Sequence, residues 1–277
     1  MTEIDPSQRL EKLRLSTIGL DTEYTLADGS CRRRIYLDST ASTLALGITR
    51  EILEAYLPYY ANTHTDAHFG AKLSNREYNW AHQRVLDFCR ANPEQYTSFF
   101  IGSGATAGIN RIARTRSAAR PDRDVVITSI MEHHSNDLPH RANFKQVIHV
   151  PTRIRGNALG CVDLDRIESA LGEYRGRVNY IAVTGVSNVT GIINPIYEVA
   201  ELAHRYDTEI LVDAAQMAAH VPIQVSNPTH PQCNLDMVVM SGHKIYTPGS
   251  PGVVVTRKDL FTAIDPVELG GGMVMMS

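Results

Sequence analysis

The stretch Ser-Gly-His-Lys-Ile-Tyr-Thr-Pro-Gly-Ser-Pro-Gly, residues 241–252, connects two short apolar runs at residues 235–240 and 253–256. Both runs are rich in valine, which favours buried β-strands. One lysine, Lys244, stands at the start of the loop between them. A lysine at the end of a buried strand is costly unless it has a use, and its amine can form a Schiff base with a carbonyl. The alternative is a solvated lysine on a surface hairpin.

The composition is that of an ordinary globular protein. The chain has 277 residues, of which 43% are hydrophobic and 21% charged, enough for one large domain or two small ones. A net charge of -3 gives no reason to expect nucleic acid or an anionic membrane as a partner. We see no membrane span and no secretory signal, so we expect a cytoplasmic protein.

The four cysteines, Cys31, Cys89, Cys161 and Cys233, are widely separated and form no CxxC pair. We interpret them as free thiols in a reducing compartment rather than as disulfides or zinc ligands. No metal site is predicted.

Strand-like runs alternate with helical patterns through most of the chain, which predicts an α/β fold with a mainly parallel sheet covered on both faces. Residues 1–34 are predicted to form an N-terminal arm with one short helix. Further predicted strands lie at 35–38, 97–101, 124–129, 147–150, 178–184 and 209–213. Predicted helices lie at 47–57, 74–91, from about 105 through 112, 163–171, 195–206 and 258–264, and a turn lies at 39–43. Ser74 or Asn75 is the predicted N-cap of the helix at 74–91, Asp163 is a predicted cap, and Pro195 is predicted in the first turn of its helix.

A glycine-rich turn, Gly102–Gly108, follows the strand at 97–101 and leads into a helix. This arrangement suits a phosphate, because small residues let the backbone come close and the free N–H groups of the helix start face the anion. Thr106 could add a hydroxyl. The turn is neither a Walker loop nor a GxGxxG motif, and a plain strand-to-helix turn is the alternative.

Other polar residues also follow predicted strand ends, where ligands bind in open α/β sheets. His133 and His134 come after the strand at 124–129, and a histidine there could stack on a flat ring or carry protons. Asp213 ends a strand and would need a partner such as a protonated ring nitrogen, or would cap a helix. A phosphate cup, a stacking histidine, a carboxylate and Lys244 together match one ligand, pyridoxal 5'-phosphate.

Several motifs, in order along the chain, carry a resemblance to a known family. They are Gly104-Ala105-Thr106, Glu132-His133-His134-Ser135-Asn136, Ser187-Asn188-Val189-Thr190-Gly191, Asp213-Ala214-Ala215-Gln216, Ser241-Gly242-His243-Lys244 and the tail Gly270-Gly271-Gly272-Met273. Over roughly residues 34–277 the chain resembles class V aminotransferases of fold type I, and among them the cysteine desulfurase and selenocysteine lyase group. The resemblance implies a seven-stranded cofactor-binding large domain at residues 35–277.

The resemblance also implies residue roles. Lys244 would carry the Schiff base with pyridoxal 5'-phosphate, His133 would stack on its ring, and Asp213 would pair with the pyridine nitrogen. Further roles follow at the edges of the cofactor: Thr106, Ser241, His243 and the backbone of Ala105 at the phosphate, Gln216 at the ring hydroxyl, and Asn188 near the substrate carboxylate.

The implied activity is that of a pyridoxal-phosphate lyase acting on an amino acid, with cysteine desulfuration favoured. An aminotransferase or epimerase of the same fold is an alternative. A third reading is a catalytically inert truncated chain, or one half of a split enzyme. We expect the cofactor's absorption to distinguish this third reading from the other two.

Two departures from the resembled family shape the expected partners. An insertion around residues 228–231 lengthens the spacing from Asp213 to Lys244. The family's C-terminal small domain, with its carboxylate-binding arginine and its sulfur-accepting cysteine, is expected to be absent, and none of the four cysteines matches that cysteine. We therefore expect a homodimer, and a separate C-terminal or sulfur-acceptor partner as a further possibility, with weak turnover by the chain alone.

Overall fold

The computed structural model describes residues 5–63, 65–156 and 158–261. The chain divides into two compact units, Met1–Glu77 with Gly242–Ser250, and Tyr78–Ser241 with Pro251–Ser277. The tail motif at Gly270–Met273 and the end of the helix predicted at 258–264 lie outside the described residues.

The first unit begins with helix α1 (Pro6–Ser16), which is the helix predicted in the N-terminal arm. A hairpin of β1 (Glu23–Thr25) and β2 (Cys31–Arg33) follows. The strand predicted at 35–38 is wrong, because the ladder ends at Arg33. The turn that closes the hairpin explains this placement: Gly29 has φ 78°, and Asp28 accepts a hydrogen bond from the Ser30 backbone. An Asp-Gly pair is a strong hairpin signal.

Two helices complete the first unit. Helix α2 (Gly47–Tyr56) occurs where it was predicted. Helix α3 (Phe69–Phe88), which continues into the second unit, begins five residues before the predicted start at residue 74. Ser74 is therefore not its N-cap. The Ser74 hydroxyl instead lies 2.7 Å from the Tyr56 hydroxyl and accepts a hydrogen bond from the Ala61 backbone N–H at 3.1 Å.

The second unit contains a seven-stranded, mostly parallel sheet, which confirms the predicted fold class. Its strands are β3 (Tyr96–Ile101), β4 (Val125–Ser129), β5 (Gln146–Val150), β8 (Val178–Thr184), β9 (Glu209–Asp213), β10 (Met237–Ser241) and β11 (Gly252–Arg257). The order is β3-β11-β10-β9-β8-β4-β5, and only β11 runs antiparallel to its neighbours. A separate hairpin, β6 (Thr152–Arg155) and β7 (Ala158–Val162), was not predicted.

Helices α4 (Gly104–Ala119), α5 (Leu138–Asn143), α6 (Leu164–Glu173) and α7 (Ile196–Arg205) connect these strands. Ile109 and Ile112 of α4 pack with Leu211 in the core. Strand side chains alternate between faces, so Ile210 lies on the opposite face, where it is also 0% exposed. Helix α7 contacts β8 and β9. Each fully buried aliphatic side chain contributes about 1.5–3 kcal/mol, so both faces stabilise the sheet.

Two helix starts test the predicted caps. Asp163 caps α6 as expected, because its carboxylate accepts hydrogen bonds from the backbone of Asp165 and Arg166. Pro195 was placed in the first turn of α7, but it is the residue before the helix, which begins at Ile196. The error is one residue.

The direction of the strands decides where loops meet. Strand β3 is antiparallel to β11, and β11 is antiparallel to β10, so β3 and β10 run the same way. Strands β9, β8 and β4 are parallel to β10. The carboxyl ends of these five strands therefore lie at one edge of the sheet, where ligands bind in open α/β folds.

Candidate functional site

The turn between β3 and α4 has the backbone geometry of an anion-binding loop. Ser103 and Gly104 have φ angles of 58° and 63°, and the Ser103 side chain does not cap the helix. The Ala105 N–H donates to Ser241 Oγ at 2.9 Å. Gly252 of β11 approaches so closely that a Cβ there would lie 2.3 Å from the Gly104 oxygen. The neighbouring strands therefore hold the turn in place, and position 252 requires glycine.

The Thr106 hydroxyl connects this turn to the loop that carries His133. Thr106 Oγ1 lies 2.8 Å from Ser135 Oγ. The Ser135 N–H donates to His133 Nδ1 at 3.1 Å. Because Nδ1 accepts, a neutral His133 ring carries its proton on Nε2. His133 is exposed, so its ring can contact a ligand at this edge of the sheet.

Asp213 stands at the carboxyl end of β9 and is only 4% exposed. Its Oδ1 accepts a hydrogen bond from the Ala215 N–H at 3.0 Å, and its backbone oxygen accepts from Gly185 at 2.9 Å. The contact with Ala215 is the local, cap-like bond that was the alternative for this residue. It turns the chain after the strand and fixes the carboxylate. Gln216 and Asn188, both half-buried, follow β9 and β8 at the same edge.

A second carboxyl group at this edge was not predicted as a site residue. Glu132 accepts a hydrogen bond from Asn136 Nδ2 at 2.6 Å and also contacts the Ser129 hydroxyl. Burial raises the pKa of Glu132 to about 8, with a smaller contribution from the Asp213 charge. At neutral pH Glu132 is therefore mostly protonated.

Lys244 lies in the first unit, in the 3-10 turn Gly242–Lys244 that directly follows β10. The preceding carbonyl, that of His243, accepts hydrogen bonds at 3.1 Å from the Thr43 N–H and the Ser42 hydroxyl. Thr43 Oγ1 accepts from the Tyr246 N–H at 2.7 Å. Burial and the neighbouring Lys244 charge lower the pKa of His243. Ser42 and Thr43 were missed because the turn predicted there gave no sign of partners about 200 residues away.

The structure thus gathers most predicted site residues at one edge of the second unit's sheet. Those residues are Ala105, Thr106, His133, Asn188, Asp213, Gln216 and Ser241. His243 and Lys244 belong to the other unit and continue the chain from Ser241. These groups fit pyridoxal 5'-phosphate. The start of α4, which Gly252 approaches closely, suits the phosphate; the exposed His133 imidazole suits the aromatic ring, and the buried Asp213 carboxylate suits the ring nitrogen.

Other kinds of site find less support. Within residues 5–63, 65–156 and 158–261, no group of three or more His, Cys, Asp or Glu side chains could hold a metal ion. No described helix has the length and apolar character needed to cross a membrane. All four cysteines are free, and burial raises the pKa of the Cys89 thiol to about 12.

Sequence comparison places the chain among known proteins. Residues 35–276 match the profile of the family described as aminotransferase class-V. A probable cysteine desulfurase of Halalkalibacterium halodurans is 31% identical over 242 residues, which are 87% of this chain and 57% of that protein. A cysteine desulfurase of Klebsiella pneumoniae is 32% identical, over 86% of this chain and 57% of the relative. The chain therefore spans a little over half the length of these curated relatives.

Two solved structures with a similar fold are also cysteine desulfurases. The apo structure of a cysteine desulfurase from Thermococcus onnurineus superposes with a TM-score of 0.77 at 25% identity, covering 100% of this chain and 63% of that one. A cysteine desulfurase from Escherichia coli gives a TM-score of 0.71 at 26% identity, over 100% of this chain and 64% of that one.

Proposed function

Since the chain belongs to the aminotransferase class-V family, whose members depend on pyridoxal 5'-phosphate, we propose that it binds this cofactor and removes sulfur from cysteine. One observation carries the proposal. A single sheet edge brings together the turn before α4, the His133 loop and the buried Asp213 carboxylate. These are the groups that a phosphate, an aromatic ring and a ring nitrogen each need.

In this proposal, each residue has a defined task. The Ala105 backbone, Thr106 and Ser241, with His243, bind the phosphate. His133 would cover the ring, and Asp213 would hold a proton on the ring nitrogen. When bound, the cofactor supplies an electron sink for the substrate's α-carbon.

The remaining tasks concern the substrate. Lys244 Nζ would hold the cofactor covalently, and the same amine would move the substrate's α-proton. Gln216 would donate to the ring hydroxyl, and Asn188 would bind the substrate carboxylate. The half-buried setting of Gln216, Asn188 and Lys244 leaves each of them able to contact a small molecule.

Cysteine is proposed as the substrate because the two curated relatives described above are named as a probable cysteine desulfurase and a cysteine desulfurase. We further propose a second copy of this chain and a sulfur acceptor as partners, in the cytoplasm. The apolar side of α2 supports a protein partner, because Ile48, Ile52 and Leu53 are 52%, 62% and 54% exposed. Four free cysteines fit a reducing compartment.

The test is a product assay on the purified chain. The chain is loaded with pyridoxal 5'-phosphate and given cysteine and a thiol reductant, and both alanine and sulfide are measured. The proposal predicts the two products in equal amounts. A keto acid formed with no sulfide would support the aminotransferase alternative. Cofactor binding with no product from cysteine, even with the chain in molar excess over cysteine so that weak turnover is detected, would contradict the proposed substrate.

A further inference from the structure

Glu132 is connected to the protein core by a continuous line of side-chain hydrogen bonds. Asn136 Nδ2 donates to Glu132 at 2.6 Å, and Asn136 Oδ1 lies 3.2 Å from His140 Nε2. His140 Nδ1 lies 3.0 Å from the Tyr180 hydroxyl. Asn136, His140 and Tyr180 are all 0% exposed. We call these four side chains the Glu132 relay.

The direction of the relay follows from its chemistry. The Asn136 oxygen can only accept, so His140 Nε2 carries a proton. Burial lowers the pKa of His140 to about 4, so the ring is neutral and its Nδ1 must accept from the Tyr180 hydroxyl. Along this line Tyr180 donates, His140 and Asn136 each accept one hydrogen bond and donate one, and Glu132 accepts. A fully satisfied buried network of this kind rigidifies the segments it joins.

The relay joins the segment that presents His133. His133 is the N-cap of the turn His134–Asn136, Glu132 precedes that cap, and Asn136 is the last residue of the turn. On one side Glu132 contacts Ser129 at the end of β4, and on the other Asn136 is tied to α5 and β8 through His140 and Tyr180. The turn thus has fixed anchors on both sides of the exposed His133 ring.

We propose that Glu132 is a positioning residue, which acts through Asn136 and the turn to set the orientation of the His133 ring over the cofactor. This inference rests on the proposed function. Glu132 touches neither substrate nor cofactor in this account. Its raised pKa supports the same role, because a protonated carboxyl can hold the turn beside Asp213 without adding a second negative charge.

Three variants test the role. Glu132→Met keeps the length of the side chain but removes its hydrogen bonds, Glu132→Ala removes the side chain, and Glu132→Gln mimics the protonated carboxyl. The measurements are the cofactor dissociation constant, by fluorescence, and the induced circular dichroism of the bound cofactor, which reports ring orientation. We expect about tenfold weaker binding and an altered dichroism for Met and Ala, as for the loss of one or two hydrogen bonds. For Gln we expect near wild-type values.

Two controls separate positioning from general damage. Glu209→Gln perturbs another buried carboxyl, held by Arg116 and Arg120 at the amino end of β9, and should change stability without changing the dichroism. In a His133→Ala background, Glu132→Met should change cofactor affinity less than twofold, because the residue through which it acts is gone.

The outcomes are distinguishable. If the wild-type chain fails to bind the cofactor, the proposed function fails. If it binds, but Glu132→Met leaves affinity and dichroism unchanged, or acts equally without His133, Glu132 has no positioning role. If Glu132→Ala does not fold, Glu132→Met alone tests the expected loss of cofactor affinity and change in dichroism. A Glu132→Gln variant that binds the cofactor as weakly as Glu132→Met would also overturn the inference.

Discussion

The Glu132→Gln substitution should change how the stability of the cofactor-free protein depends on pH. The pKa of Glu132 rises from its ordinary value of 4.5 to about 8, chiefly through burial. Between these two values the folded protein holds a proton that the unfolded chain has lost, so unfolding releases a proton. Raising the pH therefore favours the unfolded state, and the folded protein loses stability from pH 4.5 up to pH 8.

The magnitude follows from the same two values. Their difference, 8 less 4.5, is about 3.5 pH units. At about 1.4 kcal/mol per unit, the free energy of unfolding of the wild type falls by about 5 kcal/mol over this range, whereas the uncharged glutamine causes no such fall. Asp213, the other titratable group acting on Glu132, is retained in both proteins. Urea unfolding at pH 5 and pH 8, followed by circular dichroism, measures the difference. From pH 5 to pH 8, the free energy of unfolding of the glutamine variant should rise by about 4 kcal/mol relative to that of the wild type. Parallel pH profiles for the two proteins would refute the reasoning.

Three further predictions concern neighbouring groups. Asp213→Asn should slow turnover with cysteine by raising the activation free energy by about 2.7–4 kcal/mol, while the thermal midpoint of the apo-protein stays nearly constant. Wild-type turnover in this variant would show that Asp213 serves only to bind the Ala215 N–H. Gly252→Ala should force the Gly104 turn to move, at a cost of about 1–3 kcal/mol in stability and a measurable loss of cofactor affinity in titration; unchanged affinity would show that the turn does not bind it. Arg116→Ala should destabilise the fold by about 1–3 kcal/mol in urea unfolding, because the buried Glu209 loses one of its two arginine partners and keeps only Arg120; an unaltered midpoint would mean that the Arg116–Glu209 pair is dispensable.

The sequence predicted the sheet and one edge of the site because both depend on local patterns. Valine-rich runs, such as the one that forms Met237–Ser241, can be recognised as buried strands. Asp213 stands at the end of a predicted strand, and Thr106 follows the end of another. Parallel strands bring such residues to one edge. The expected helices on both faces followed from the same alternation of elements.

What the sequence did not predict depends on contacts between distant segments. Glu132 was visible within its motif, but its partners His140 and Tyr180 come from an unrelated helix and strand. Thr43 meets the backbone of His243 only after folding. The domain boundary proposed at residue 34 stays a prediction, because these contacts do not test it. The site roles taken from the resemblance also stay predictions, because they concern the protein with its cofactor bound.

The central claim is that Lys244 is the lysine that holds the cofactor. Reducing the cofactor-loaded protein with borohydride would fix the covalent link, and peptide mapping would locate it. We expect one phosphopyridoxyl label, on Lys244, and no label or yellow absorbance in Lys244→Ala. A label on any other lysine, or the same absorbance in the variant, would contradict it.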